Sequence, residues 1–185
     1  MLNMEYKLPL TIESGQGEKI IFKEIIKESD GDIVHLEGYC TPNAGPAMHV
    51  HYLQDEGFTI VKGSVACQIM GQEPVIYTVG QSVTFYRTIP HRFWNIGDNE
   101  LIIDGWIKPA NSIIFFLDTL YTAQRKSGTN KPEIFDAAYL LIKYRREYGM
   151  PEMPAFVKKI LLPIIYTLGI LFGKYKKFKN ATKPL

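Results

Sequence analysis

The chain has only two cysteines, Cys40 and Cys67, among its 185 residues. They form no CxxC pair, and two thiols supply no disulfide framework, which excludes a disulfide-built scaffold and a thiolate zinc ribbon. Cys67 falls in an apolar alternating stretch and reads as a small buried hydrophobe. The opening residues Met-Leu-Asn-Met-Glu-Tyr-Lys lack the apolar run of a secretory signal. These absences together predict a reducing, cytoplasmic setting. The formal net charge is only +2, and no lysine tract is interleaved with arginine, so nucleic acid is not an expected partner. Gly15-Gln-Gly17 is too short to cradle a phosphate. Internal repeats and low-complexity tracts are absent. The longest uncharged apolar run, Ile160 to Gly173, has 14 residues. At ~1.5 Å per residue a helix of that length falls short of a ~30 Å hydrocarbon core.

The chain is 46% hydrophobic, enough to bury a full core in one domain with an extension. Its first two-thirds reads as short strands. Ile20 to Ile26 is rich in β-branched residues, and Ser29-Asp-Gly-Asp32 is a turn signal. Stretches 33–39, 56–61, 64–70, 75–79, 82–86, 91–96 and 100–107 follow, separated by Lys62-Gly63, Gly71-Gln-Glu-Pro74, Gly80-Gln81 and Gly97-Asp-Asn99. Many short strands with glycine turns predict a sandwich or barrel.

Three of the four histidines lie close together in this strand region. His49 and His51 are separated by one residue, so on a strand they project from the same face. Glu56 follows after a short gap, and a later strand can add His91. Three imidazoles and one carboxylate on one wall suit a single divalent transition ion such as Fe, Mn, Ni, Cu or Zn. Four protein donors on a six-coordinate ion leave two positions open for chemistry. His35 has no partner at such spacing and reads as an ordinary strand residue.

The spacing resembles the cupin family. Its first motif ends in His-x-His, a short gap, Glu, six residues and Gly, which His49, His51, Glu56 and Gly63 match. Its second opens with Gly and closes with His, three residues and Asn, which Gly80, His91 and Asn95 match. There are two departures. Asn43 stands where the family's opening glycine falls, and Tyr86-Arg-Thr88 replaces the Pro-x-Gly turn before His91. The resemblance implies a mainly β fold, a double-stranded β-helix or jelly-roll barrel over 1–109 with a motif core at 45–95. It also implies metal ligation by His49, His51, Glu56 and His91. By the same analogy an oxygenase acting on a small organic substrate is expected, with Glu56 able to act as a catalytic base. Phe58, Ile60, Phe93 and Asn95 share strand parity with Glu56 or His91 and are candidates to line the cavity. Arg87 and Trp94 are candidates for its rim. The alternatives are a non-catalytic module that senses or stores a small ligand, and an oligomeric or membrane-associated scaffold built on the tail.

Near Pro109 the texture turns helical, and 110–185 reads as an extension of about three helices. Asn111-Ser112 can cap a first helix to about Lys126, and Ser127-Gly-Thr-Asn130 ends it. Asn130, Pro132 and Glu133 start a second that is expected to stop at Gly149. A third runs from about Ala155 to Lys177, with Pro163 either kinking it or marking its true start. From residue 156 onward there are seven lysines and no acidic residue, while the remaining chain carries 14 basic and 19 acidic residues. A helix apolar all round must be covered by something. The reading preferred here is packing on the chain's own barrel or on a second copy in a homodimer. Peripheral membrane contact through 156–179, with lysines on anionic headgroups, is its rival.

Overall fold

The computed structural model describes residues 6–185. Two β-sheets form the first part of the chain. One holds six strands in the order β1 (Leu10–Glu13), β2 (Glu18–Ile26), β3 (Ile33–Cys40), β10 (Leu101–Lys108), β5 (Asp55–Lys62), β8 (Ser82–Phe85). The other holds β7 (Val75–Thr78), β6 (Ser64–Ile69) and β9 (His91–Asn95). A backbone bridge between His49 and His91 continues it onto the short pair β4 (Val50–His51) and β11 (Tyr148–Gly149). Every neighbouring pair is antiparallel. The result is the jelly-roll barrel of a mainly β protein, followed by the helices α1 (Ile113–Ser127), α2 (Ile134–Lys143) and α3 (Leu162–Leu171).

Strand alternation sets which residues fill the barrel. On β3, Val34, Leu36 and Cys40 are buried while His35 and Glu37 face outward, and Leu101, Ile103 and Ile107 play the same part on β10. One core cluster lies between the sheets around Phe58, Ile60, Val65, Phe93 and Leu101. A second joins the barrel, through Phe22, Val34, Leu36 and Ile107, to Ile113, Phe115 and Leu140 of the helices, and a third, smaller one holds Ala138, Leu162 and Ile165. Burying each such side chain contributes about 1.5–3 kcal/mol, so α1 and α2 are fastened to the barrel as its plug.

Three expectations are corrected. The second helix was to stop at Gly149, but α2 ends at Lys143 and Tyr148–Gly149 instead pair with His51 and Val50. Glu147 is fully buried there, and its carboxylate gathers hydrogen bonds that an exposed helical turn would not supply. The third helix is not continuous to Lys177. A π-helical turn over Val157–Leu161 precedes α3, Pro163 lies in its first turn, and Gly173 at φ 67° ends it before a 3-10 turn over Lys174–Phe178. Ser112 does stand at the start of α1, but its hydroxyl makes no cap and donates to Glu147. The strand β1 lies outside every stretch read as β from the sequence.

Candidate metal centre

Three strands deliver the four donor side chains. His49 and His51 flank Val50 and project together, as their one-residue gap requires. The N–H of His49 donates to the carbonyl of His91 at 2.9 Å and the reverse bond is 2.8 Å, which locks β9 beside them. Glu56 comes from the start of β5, across the barrel wall. Its Oε2 lies 4.0 Å from His49 Nε2, 3.4 Å from His51 Nε2 and 3.7 Å from His91 Nε2. One donor atom from each residue falls within 4.8 Å of every other.

The imidazoles are oriented from behind. His49 Nδ1–H donates to the Ala47 carbonyl at 2.9 Å, and His91 Nδ1–H to the Ile89 carbonyl at 2.8 Å. Both bonds leave Nε2 turned toward Glu56, the orientation that ligating histidines adopt. The Phe85 ring stacks on His91 at 4.1 Å and 3°, fixing the ring plane. His91 Nε2 is buried and has no hydrogen-bond partner among the described residues. An orphaned buried acceptor costs about 1–3 kcal/mol, and a metal ion at this point would satisfy it. The donor set and this orphan fit a divalent transition ion.

Burial and the facing groups compete in the electrostatics. Burial pushes the His51 imidazolium down to about pH 3 in its titration, against an attraction from Glu56. Burial alone would raise the Glu56 carboxyl, but the facing imidazoles outweigh it and hold the group well below the usual carboxylate range. A neutral His51 beside an ionised Glu56 is the pairing that binds a metal.

The cluster opens onto a cavity of about 640 Å³. Phe58 and Phe93 line it on the barrel side; Leu117, Leu120, Ala137 and Leu141 close it from the helices. Polar groups are few. Tyr121 donates to Glu18 Oε1 at 3.4 Å, and burial raises both groups' titration. Ile60 and Asn95 lie away from the cavity. Ile60 is in the core between the sheets, and the Asn95 side chain bridges the Cys40 and Asn99 carbonyls at 2.8 Å each. Arg87 is on the exposed side of the barrel, clamped in two hydrogen bonds to the Asp55 carboxylate. Trp94 packs under the Arg92 guanidinium.

A buried polar group next to the cluster was not visible in the sequence. Gln54 Nε2 donates to Glu147 Oε2 at 3.2 Å and to the Tyr148 hydroxyl at 3.1 Å, and Ser112 Oγ donates to Glu147 Oε2 at 2.9 Å. The Tyr148 ring meets His51 edge-on at 5.4 Å. Gln54 did carry a signal, because it stands inside the gap between His51 and Glu56. Glu147 and Tyr148 lay hidden in a stretch that read as helix.

Residues 39–105 match the family model described as Cupin domain. Over that stretch the barrel is similar to the cupin family. No curated protein matches the chain. Solved structures of similar shape include an RmlC-like cupin from Shewanella frigidimarina, 15% identical, covering 62% of this chain and 99% of that one at a TM-score of 0.47. Another is a conserved protein with a double-stranded β-helix domain from Klebsiella pneumoniae, 18% identical, covering 50% and 78% at a TM-score of 0.42. KdgF from Halomonas sp. is 16% identical and covers 53% and 84% at a TM-score of 0.44.

Proposed function

We propose that this protein is a metal-dependent enzyme acting on a small, largely apolar organic molecule, and that its reaction is an oxygenase-type oxidation using O2. The observation that carries the reading is the opening of His49, His51 and Glu56, three members of the donor cluster, onto a largely apolar cavity. A divalent transition ion held by these residues would supply Lewis acidity and, for iron, manganese, nickel or copper, electron transfer.

The chain's own residues have separable roles. The Nε2 atoms of His49, His51 and His91 and the Glu56 carboxylate hold the ion. Glu56, with 13% of its side chain exposed, is also placed to accept a proton from a substrate in the cavity. Tyr121 and Glu18 offer a hydrogen-bonding pair to a polar group at the substrate's other end. Phe58, Phe93 and the α1 and α2 side chains exclude water. Among the described residues, Lys19 and Lys131 are the only lysines lining the cavity, and no arginine does so. A phosphorylated substrate would find little counter-charge there, which favours an uncharged or weakly polar molecule.

The test is oxygen uptake by iron-, manganese-, nickel- and copper-loaded protein over a panel of aromatic and keto compounds. Uptake with at least one metal is expected, slowed in Glu56→Gln. It should be blocked in Ala137→Phe, which fills the cavity without touching a donor, while metal content is unchanged. Tight binding of a compound in the cavity with no uptake under any metal would replace this reading with a non-catalytic ligand-binding barrel.

A further inference from the structure

The helix α3 buries only one side. Leu162 and Ile165 pack against Ala138 of α2, and Gly169 lies against the Tyr175 ring. On the opposite side Phe156, Ile160, Ile164, Leu168 and Leu171 are 62%, 48%, 52%, 38% and 73% exposed. Their spacing of four, four, four and three residues draws one apolar stripe along the helical surface. An exposed apolar stripe of this length marks an interaction site.

The charge around the stripe states what fits it. Lys158 and Lys159 stand at one end and Lys174, Lys176, Lys177 and Lys179 at the other, with no acidic residue from 156 to 185. Lys177 is neutralised by Asp136. Lys159, Lys176 and Lys179 have no acidic partner among the described residues. A second copy laid stripe to stripe would set lysine clusters against lysine clusters in either direction, so self-association is opposed electrostatically. The chain before residue 156, with 14 basic and 19 acidic residues, is net acidic, whereas the foot carries seven lysines and no acid. No helix among the described residues is long and apolar enough to cross a membrane. An apolar stripe rimmed by lysines on such a helix suits the plane of an anionic lipid surface.

We propose that α3 and its flanking turns form a peripheral foot that docks on anionic lipid. The stripe enters the boundary between headgroups and acyl chains, and the lysines meet the headgroups. Met153 and Leu162 line the cavity from the same segment, so docking brings the cavity's helical wall to the lipid.

The test is co-sedimentation of the full chain with phosphatidylcholine vesicles, with and without phosphatidylserine. Binding is expected at least about tenfold tighter to the anionic vesicles and weakened by salt. The double variant I164N/L171N replaces exposed residues only, and its unchanged thermal unfolding would show an intact fold. It should lose binding about tenfold or more. Lys159→Gln, Lys176→Gln and Lys179→Gln should each weaken it about fivefold. Failure of the intact chain to bind either vesicle overturns the proposal, as does equal binding by the stripe variant. A concentration-dependent dimer that the stripe substitutions dissociate, with no vesicle binding, would assign the stripe to a second copy and also overturn it.

Discussion

The backbone N–H of Thr88 donates to the carbonyl of His51 at 2.6 Å, tying the turn before β9 to the strand that carries two imidazoles. Thr88 makes this bond at φ 70°, a left-handed conformation that a β-branched residue rarely adopts. Asn43 has φ 65°. Both stand where the cupin motifs have glycine, and both adopt the left-handed backbone that glycine takes freely. Asparagine tolerates that region well and threonine does not.

Thr88→Gly should therefore stabilise the protein. Relief of a left-handed non-glycine residue is worth about 1–3 kcal/mol, and the added freedom of the unfolded chain returns about 0.4–1 kcal/mol. A net gain of about 1 kcal/mol is expected in urea unfolding of metal-free protein, with Thr88→Ala showing no comparable gain. A less stable glycine variant would mean that the turn holds no strain.

Metal should stabilise the fold through the same strands. A ligand that binds only the folded state at about 100 times its Kd adds about 2.7 kcal/mol. Chelation should lower the Tm, and re-addition of the ion should restore it. His51→Ala and His91→Ala should abolish the restored increment, because each removes a donor from a closed set of four. Calorimetry that shows the same Tm with chelator and with each of the five metals would count against a metal centre.

The barrel and its donor cluster were legible because both rest on local rules. Period-two alternation in β3 and β10 marks the buried face, and the His49, His51 and Glu56 spacing fixes which side chains share a wall. The helical extension was legible only as texture. The end of α2 was missed because residues 144–149 keep helical propensity, and what overrides it is tertiary: Tyr148 pairs with His51, and Glu147 is drawn into a buried polar group. Ile60 and Asn95 share strand parity with cavity residues, yet parity says nothing of depth along the barrel. The covering of α3 depended on long-range packing, which no periodicity in the run itself encodes.

Cys40 and Cys67 should resist modification in the native state. Both are free and buried, and burial pushes each thiol up to about 12 in its titration. The thiolate is the reactive form, so at mildly alkaline pH almost none is present. Iodoacetamide should leave both unlabelled in folded protein and label both after denaturation, as read by mass spectrometry. Rapid native labelling of Cys40, which lines the cavity, would show that solvent and reagent reach the donor cluster freely.

Glu147 should matter to the metal centre although it touches none of the four donors. It is fully buried and accepts from Gln54, from Ser112 and, at 3.0 Å, from the backbone N–H of Leu185. Glu147→Ala strands these donors and leaves a cavity, a loss on the order of 2–4 kcal/mol. Ser112→Ala removes one hydroxyl whose remaining neighbours still bond one another, and should cost about 1 kcal/mol. The Glu147 change also frees β11, whose Tyr148 pairs with His51 along the backbone and packs edge-on against its ring. Loss of such outer support typically weakens metal binding about 10–100-fold. Urea unfolding paired with metal titration separates the two effects: Ser112→Ala should lose a little stability and keep its affinity, and Glu147→Ala should lose both. A Glu147→Ala protein with unchanged affinity would mean that β4 holds His51 in place without β11.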